Sequence, residues 1–176
     1  TGVISGTPTN NTGSPFTFTI QASNAVAPAA TQSFSLTVQN GAVISTPPAN
    51  TSVSPGGTAT FSVVASGTPS TFTYQWYRNA GGVSGFSPMT DVGGTYLGTN
   101  TATLTVFNTQ LSWSGDQFQV TVTNGVGSPA TSAAATLTVA VAPAITSAAS
   151  TIFALNSANT FTVAATGSPA PTFSVI

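Results

Sequence analysis

Three observations predict an all-β chain of tandem two-layer sandwiches: apolar residues alternate with polar ones over short runs, Gly- and Pro-rich turns separate the runs, and the strand pattern returns after about 100 residues. With 176 residues the chain can bury one large core or two small ones. Abundant Ser and Thr, with Val, Phe, Ala and Ile as the main apolar residues, favour strands and turns over helices. No helix longer than a turn or two is expected. The chain is rich in aromatic and β-branched residues and poor in net charge, the opposite of a disordered segment.

The inward faces can be read strand by strand. They are Phe16, Phe18, Ile20 and Ala22, then Phe61, Val63 and Ala65, then Ala102, Leu104 and Val106. Phe118, Val120 and Val122 follow, and the series closes on Ala135, Leu137 and Val139. The stretches GTPST, GGVSG, VGGTY and NGVGSPA between them have turn compositions. Pro-bearing stretches at Thr46 to Pro48 and Val141 to Pro143 read as short linkers that enter a first strand.

The repeat is explicit in the residues. TFSVVASGTP at 60–69 returns as TFTVAATGSP at 160–169, and FTIQASN at 18–24 returns as FQVTVTN at 118–124. One residue out of that phase, FSLTV ending at Val38 matches ATLTV ending at Val139. The mapping divides the chain into the C-terminal half of a domain at 1–40, a complete domain at 41–140 and the N-terminal half of a domain at 141–176. It sets Thr1 against Thr101 and Ile176 against Trp76, so the counterpart of 77–100 is in neither flank. A half sandwich leaves strand edges and an apolar face open, and each half is expected to need a partner.

The composition excludes most chemistry. The chain has no His, Cys, Glu or Lys, and its charged side chains are Arg78, Asp91 and Asp116. Acid–base pairs, activated Ser or Cys nucleophiles and lysine imines lack their parts, so no catalytic residue is expected. No cofactor and no metal site is expected either, since zinc takes Cys or His and calcium takes several carboxylates. One basic residue cannot neutralise a phosphate backbone, which excludes nucleic acid as a partner. No run approaches the apolar length of a membrane span, so membrane insertion is not expected. Asp91 and Asp116 are expected as solvent-facing turn residues, with Arg78 in an exposed pair with one of them.

GGTATFSVVASG, TYQWYRN, TATLTV and SGDQFQVTVTNGVGS in the middle domain resemble the bacterial immunoglobulin-like repeats of large secreted and surface proteins. The resemblance implies a seven-stranded immunoglobulin-like sandwich with Trp76 as its core tryptophan. It sets Val63 and Val120 where the family's two bridging cysteines stand, and Phe118 in place of the corner tyrosine. TGVISGTP, FTFTI and TQSFSLTV at 1–38 resemble a second group, the cadherin-like Ig repeats of bacterial surface proteins, and 142–176 resembles the beginning of the same group. The fold class is therefore all-β, with tandem immunoglobulin-like sandwiches, one complete and two partial.

The resemblance implies an extracellular or cell-surface location and a structural role as a fibre or stalk. The split domain would be completed by the adjacent copy or by the continuing chain, with self as the partner in a head-to-tail homopolymer. The alternatives are an adhesin or glycan-binding module and a non-catalytic spacer of a secreted hydrolase. For glycan or interdomain contact the candidate residues are Trp113, Tyr77 and Tyr96, with Phe86 nearby, and surface glycans are the matching partner. Asn10 and Asn50 open N-x-T/S triplets and are candidate glycosylation acceptors. The missing disulfide fits a bacterial source.

Overall fold

The computed structural model describes residues 3–12 and 14–175. Thr1 and Ile176, the two ends at which a join between copies was expected, lie outside the described residues. Among the described residues fifteen strands run in chain order. An N-terminal hairpin joins β1 (Phe16–Ala22) to β2 (Ala30–Leu36) in unbroken antiparallel register from Phe16↔Leu36 to Ala22↔Ala30. The central domain contains β3 (Asn40–Thr46), β4 (Thr51–Val53), β5 (Ala59–Ser62), β6 (Val64–Thr68), β7 (Thr73–Asn79), β8 (Ser87–Pro88) and β9 (Tyr96–Leu97). It continues with β10 (Thr103–Val106), β11 (Gln117–Thr123), β12 (Ala130–Thr131) and β13 (Ala135–Val139). A C-terminal pair, β14 (Val141–Ile145) and β15 (Ala165–Ser168), completes the set. The helical content of the described residues is two short 3-10 turns, Ala80–Gly82 and Leu111–Trp113.

Two layers form the central sandwich. One carries the pair β3–β6 beside β5–β10–β9, and the other runs β4–β13–β11–β7–β8. β5 and β6 are two parts of one strand line interrupted at Val63, whose N–H donates to Ala102 O at 2.9 Å. The stretch around Pro47 and Pro48 is a sheet switch and not a linker. β3 pairs with β6 in the first layer, whereas β4, three residues past Pro48, runs parallel to β13 in the second. Proline supplies the break because it cannot donate to either ladder. Val141 to Pro143 likewise sits inside β14, with a register shift between Val141 and Ala144.

Between the layers, Phe61, Val63, Trp76, Leu104, Val106, Phe118, Val120, Val122, Leu137 and Val139 form one buried cluster. Phe61 stacks on Phe118 across the sandwich at 4.8 Å between ring centres. Each large side chain of this kind contributes about 1.5–3 kcal/mol by leaving water. The Trp76 indole N–H donates to Thr101 O at 2.9 Å, which satisfies the one polar atom this side chain brings into the core. Among the described residues no buried side-chain polar atom lacks a partner.

In the flanks the expected alternation is present and the expected burial is not. Phe16, Phe18 and Ile20 share a face with Phe34 and Leu36, since directly paired residues lie on the same side of a sheet. Within the described residues no second layer covers that face, so Ile20 and Leu36 stay 42 % and 48 % exposed. Phe161 and Val163 in the C-terminal half are 42 % and 43 % exposed for the same reason.

Candidate functional site

The three charged side chains of the chain all lie in the central domain, and two of them meet at one end of its core. Arg78, two residues past Trp76 on β7, points to the same side as the tryptophan. Its Nε donates to Asp116 Oδ2 at 2.7 Å and its Nη2 lies 2.6 Å from the same oxygen. The second carboxylate oxygen, Oδ1, accepts the Gly81 N–H at 2.8 Å. Asp116 is held one residue before β11 by its own N–H, which donates to Trp113 O at 3.0 Å, and by its carbonyl, which accepts Leu137 N–H at 2.8 Å.

This geometry corrects the expectation that both acids face solvent. The Asp116 side chain is 2 % exposed and that of Arg78 27 %. Asp116 stands two residues before Phe118 and four before Val120, so alternation turns its side chain inward with theirs. The turn-like SGD composition around it concealed that phase. Asp91 is exposed as expected. Its Oδ1 accepts the Thr99 hydroxyl at 2.6 Å and the Thr99 N–H at 2.8 Å, and these bonds hold its carboxyl below the usual value.

Around the ion pair, Tyr96 and Trp113 stack at 6.1 Å between ring centres. The Arg78 guanidinium carbon lies 5.9 Å and 5.4 Å from their respective ring centres, and Arg78 Nη1 donates to the Tyr96 hydroxyl at 2.9 Å. Burial pushes the Tyr96 hydroxyl above its ordinary pKa, against the opposing pull of Arg78. Two of the three aromatic candidates therefore meet, and their rings are engaged with each other and with Arg78. Tyr77 faces the opposite side of β7 and does not join them. An open cleft of about 320 Å³ beside this cluster is lined by Tyr96, Arg78, Met89 and Ser84 among others, but by neither Trp113 nor Tyr77.

Val63, Trp76, Phe118 and Val120 all lie in the buried cluster. Asn10 and Asn50 are both exposed. The Asn50 side-chain oxygen accepts Thr136 N–H at 2.8 Å, while that of Asn10 accepts Thr12 N–H at 3.2 Å.

Composition could not reveal the arrangement at the two poles of the sandwich. At the entry pole, Asn124 Nδ2 donates to both Asn40 O and Pro69 O at 2.9 Å, tying the start of β3 and the turn after β6 to the end of β11. Gly67 is required beside it, because an added Cβ would lie 2.9 Å from both Asn124 Nδ2 and Gly41 O. At the exit pole, Ala140 N–H donates to Val53 O at 2.9 Å, where β4 and β13 end side by side. An Asn just after an alternating strand, opposite a Gly-x-Pro turn, is the sequence signal that marks the entry pole.

Residues 43–124 match the immunoglobulin domain family model. Comparison with curated proteins finds no match. Among solved structures, the titin I-band fragment I67–I69 aligns at 20 % identity and a TM-score of 0.55, over 74 % of this chain and 44 % of that one. An E-to-A variant of the same titin domains aligns at 22 % and 0.55, over 71 % and 41 %. Extracellular domains 3–5 of Drosophila OTK align at 20 % and 0.51, over 71 % and 40 %. The chain thus spans less than half the length of each of these three structures, and identities this low speak for the fold alone. With the family match over the central domain and this shared fold, the chain is an all-β protein of tandem immunoglobulin-like sandwich domains.

Proposed function

We propose that the chain is a non-catalytic, load-bearing segment of an extracellular fibre or surface stalk, in which immunoglobulin-like sandwiches act as stiff spacers. The parallel pairing of β4 with β13 carries this reading. β4 lies near the chain's entry into the domain and β13 at its exit, and they run side by side in the register Thr51↔Leu137 to Val53↔Val139. Tension applied to the two ends draws these strands past each other, so their hydrogen bonds resist together in shear instead of opening one at a time. The Asn124 bonds at the opposite pole hold the start of β3 in the same way.

Composition supports the same role. The side chains include no histidine and no thiol, and the one ion pair among the described residues, Arg78–Asp116, keeps its carboxylate out of water. A scaffold of this kind keeps its stability across a wide range of pH and salt.

Single-molecule pulling on the chain tests the reading. Unfolding of the central domain should release about 300 Å of contour length, from roughly 100 residues at ~3.5 Å each less the roughly 40 Å that the folded domain already spans, at a force that depends on the β4–β13 ladder. Leu137 and Val139 direct their N–H groups to Asp116 O and Ser114 Oγ, so alternation aims the Thr138 N–H at β4. Thr138→Pro should lower the unfolding force markedly. An unchanged force in that variant, or unfolding at forces no higher than those for peeling a hairpin, would reject the load-bearing role.

A further inference from the structure

The sequence contains two Asn-Gly steps, Asn40–Gly41 and Asn124–Gly125, and the fold brings both to the entry pole, where Asn124 Nδ2 donates to Asn40 O. Asn followed by Gly is the step at which a backbone nitrogen most easily reaches the side-chain amide before it, because Gly has no Cβ to obstruct the approach. We propose that Asn124–Gly125 is a latent deamidation site, which the folded pole holds shut and whose hydrolysis, once the pole opens, makes the opening permanent. Water is its only co-reactant, and nothing in it depends on the stalk reading.

The reaction balances without oxidant or cofactor. The Gly125 nitrogen forms a bond to Asn124 Cγ, the Cγ–Nδ2 bond breaks, and Nδ2 leaves as ammonia with the proton that Gly125 gave up. Water then opens the resulting cyclic imide at one carbonyl or the other. Either opening leaves a carboxylate in place of the amide, as aspartate or as isoaspartate.

Every atom of that step is engaged in the folded pole. Nδ2 donates to Asn40 O and Pro69 O at 2.9 Å, and Oδ1 accepts the Val126 N–H at 3.2 Å. The Gly125 N–H, which must be given up for attack, donates to Thr123 Oγ1 at 3.1 Å. Addition to Cγ turns a planar amide carbon tetrahedral and draws Nδ2 away from both carbonyls. Asn124 is also buried, so the reaction is left to molecules in which the pole has opened.

The product cannot close the pole again. With Nδ2 gone, Asn40 O and Pro69 O lose their donor, and a carboxylate stands before two carbonyl oxygens in a buried place. Asn40 differs in consequence. The clamp uses its backbone oxygen, and its side-chain Oδ1 accepts Asn11 Nδ2 at 2.8 Å, a part that a carboxylate also plays.

The repeat supplies a control inside the same chain. Val26 N–H donates to Asn24 Oδ1 at 3.2 Å, as Val126 N–H does to Asn124 Oδ1, and Ala25 has φ 68° where Gly125 has φ 78°. One turn is thus built twice, once with the obstructing Cβ and once without it. Since an added Cβ at 125 meets nothing within 4 Å, Gly125→Ala can keep the turn and slow the reaction.

The wild-type chain is held in heavy-oxygen water, folded in buffer and unfolded in urea, then cleaved with pepsin and mapped by mass spectrometry. In urea Asn124 should convert well ahead of Asn24, with uptake of heavy oxygen. In buffer Asn124 should convert roughly 100-fold more slowly than in urea, because only the open fraction reacts. Chains converted at 124 should not regain the wild-type urea midpoint after refolding. Asn124→Asp should lower the midpoint clearly and Asn40→Asp should leave it near the wild-type value, while Gly125→Ala should bring the urea rate at 124 down to that at Asn24.

Equal rates in buffer and urea would overturn the claim that the fold holds the site shut. No conversion at 124 in urea would remove the site altogether. A wild-type midpoint in converted chains or in Asn124→Asp, or an equal loss in Asn40→Asp, would overturn the permanent opening.

Discussion

Replacing Arg78 by Met isolates the contribution of the buried ion pair. Met keeps the unbranched stem that packs beside Tyr96 and Trp113 and removes the guanidinium, so Asp116, with 2 % of its side chain exposed, retains only the Gly81 N–H. Removing one partner of a buried pair costs about 3–5 kcal/mol, because the remaining charge is left without compensation. Arg78 is 27 % exposed and water can enter the space it vacates, which places the loss near the lower end, about 3 kcal/mol. Urea unfolding followed by tryptophan fluorescence reads this directly. With an m-value of about 2 kcal/mol/M the midpoint should fall by roughly 1.5 M. Asp116→Ala should cost less, about 2 kcal/mol, since the stranded guanidinium can turn to solvent. The double variant Arg78→Met/Asp116→Leu should recover most of the loss, because no charge then remains buried. A midpoint shift below about 0.5 M for Arg78→Met, or a double variant less stable than Arg78→Met, would refute the claim that Asp116 depends on this partner.

Other outcomes follow from the same coordinates. Val63→Cys/Val120→Cys, once oxidised, should raise stability by about 4 kcal/mol in the chain-entropy account of a loop of roughly 60 residues, measured as a midpoint shift between oxidised and reduced protein. Gly67→Ala should cost about 1–3 kcal/mol, because its Cβ would meet Asn124 Nδ2 and Gly41 O at 2.9 Å; thermal unfolding checks it. Histidine, the side chain that ordinarily titrates near neutral pH, is absent from the sequence, so thermal stability should be flat around neutrality. The edges have opposite signs. Asp91 has a folded pKa below its ordinary 3.8, so its contribution is present above that value and is lost as pH falls further. Tyr96 has a folded pKa above its ordinary 10.0, so its contribution is present below pH 10 and is lost as pH rises through the folded value. A transition centred near neutral pH would contradict this assignment.

How much of this was legible in the sequence depended on whether a feature is periodic. The core strands were, because a two-residue period assigns each side chain to a face, and the residues that alternation turns inward in the central domain are the ones that pack. Asp116 was not, because a charged residue in a Gly-Ser turn reads as solvated unless its phase with Phe118 and Val120 is followed back across the strand boundary. Pro47 and Pro48 have the composition of a linker for a related reason: a strand that changes sheets and a strand that ends look alike from local composition. The aromatic candidates Trp113, Tyr77 and Tyr96 show the limit most directly, since composition groups all three and the alternation of β7 separates Tyr77 from the others.

The flanks extend the same reasoning from strands to domains. A period of two assigns a side chain to a face, and a period of about 100 residues assigns a strand to its place in a sandwich. Residues whose counterparts are buried in the complete domain, and which are themselves exposed, therefore mark a face that the complete domain covers. Ile20, Leu36, Phe161 and Val163 satisfy both conditions, and they sit on the two segments whose counterparts pack against each other inside the same chain. An exposed apolar face usually gives no indication of what covers it.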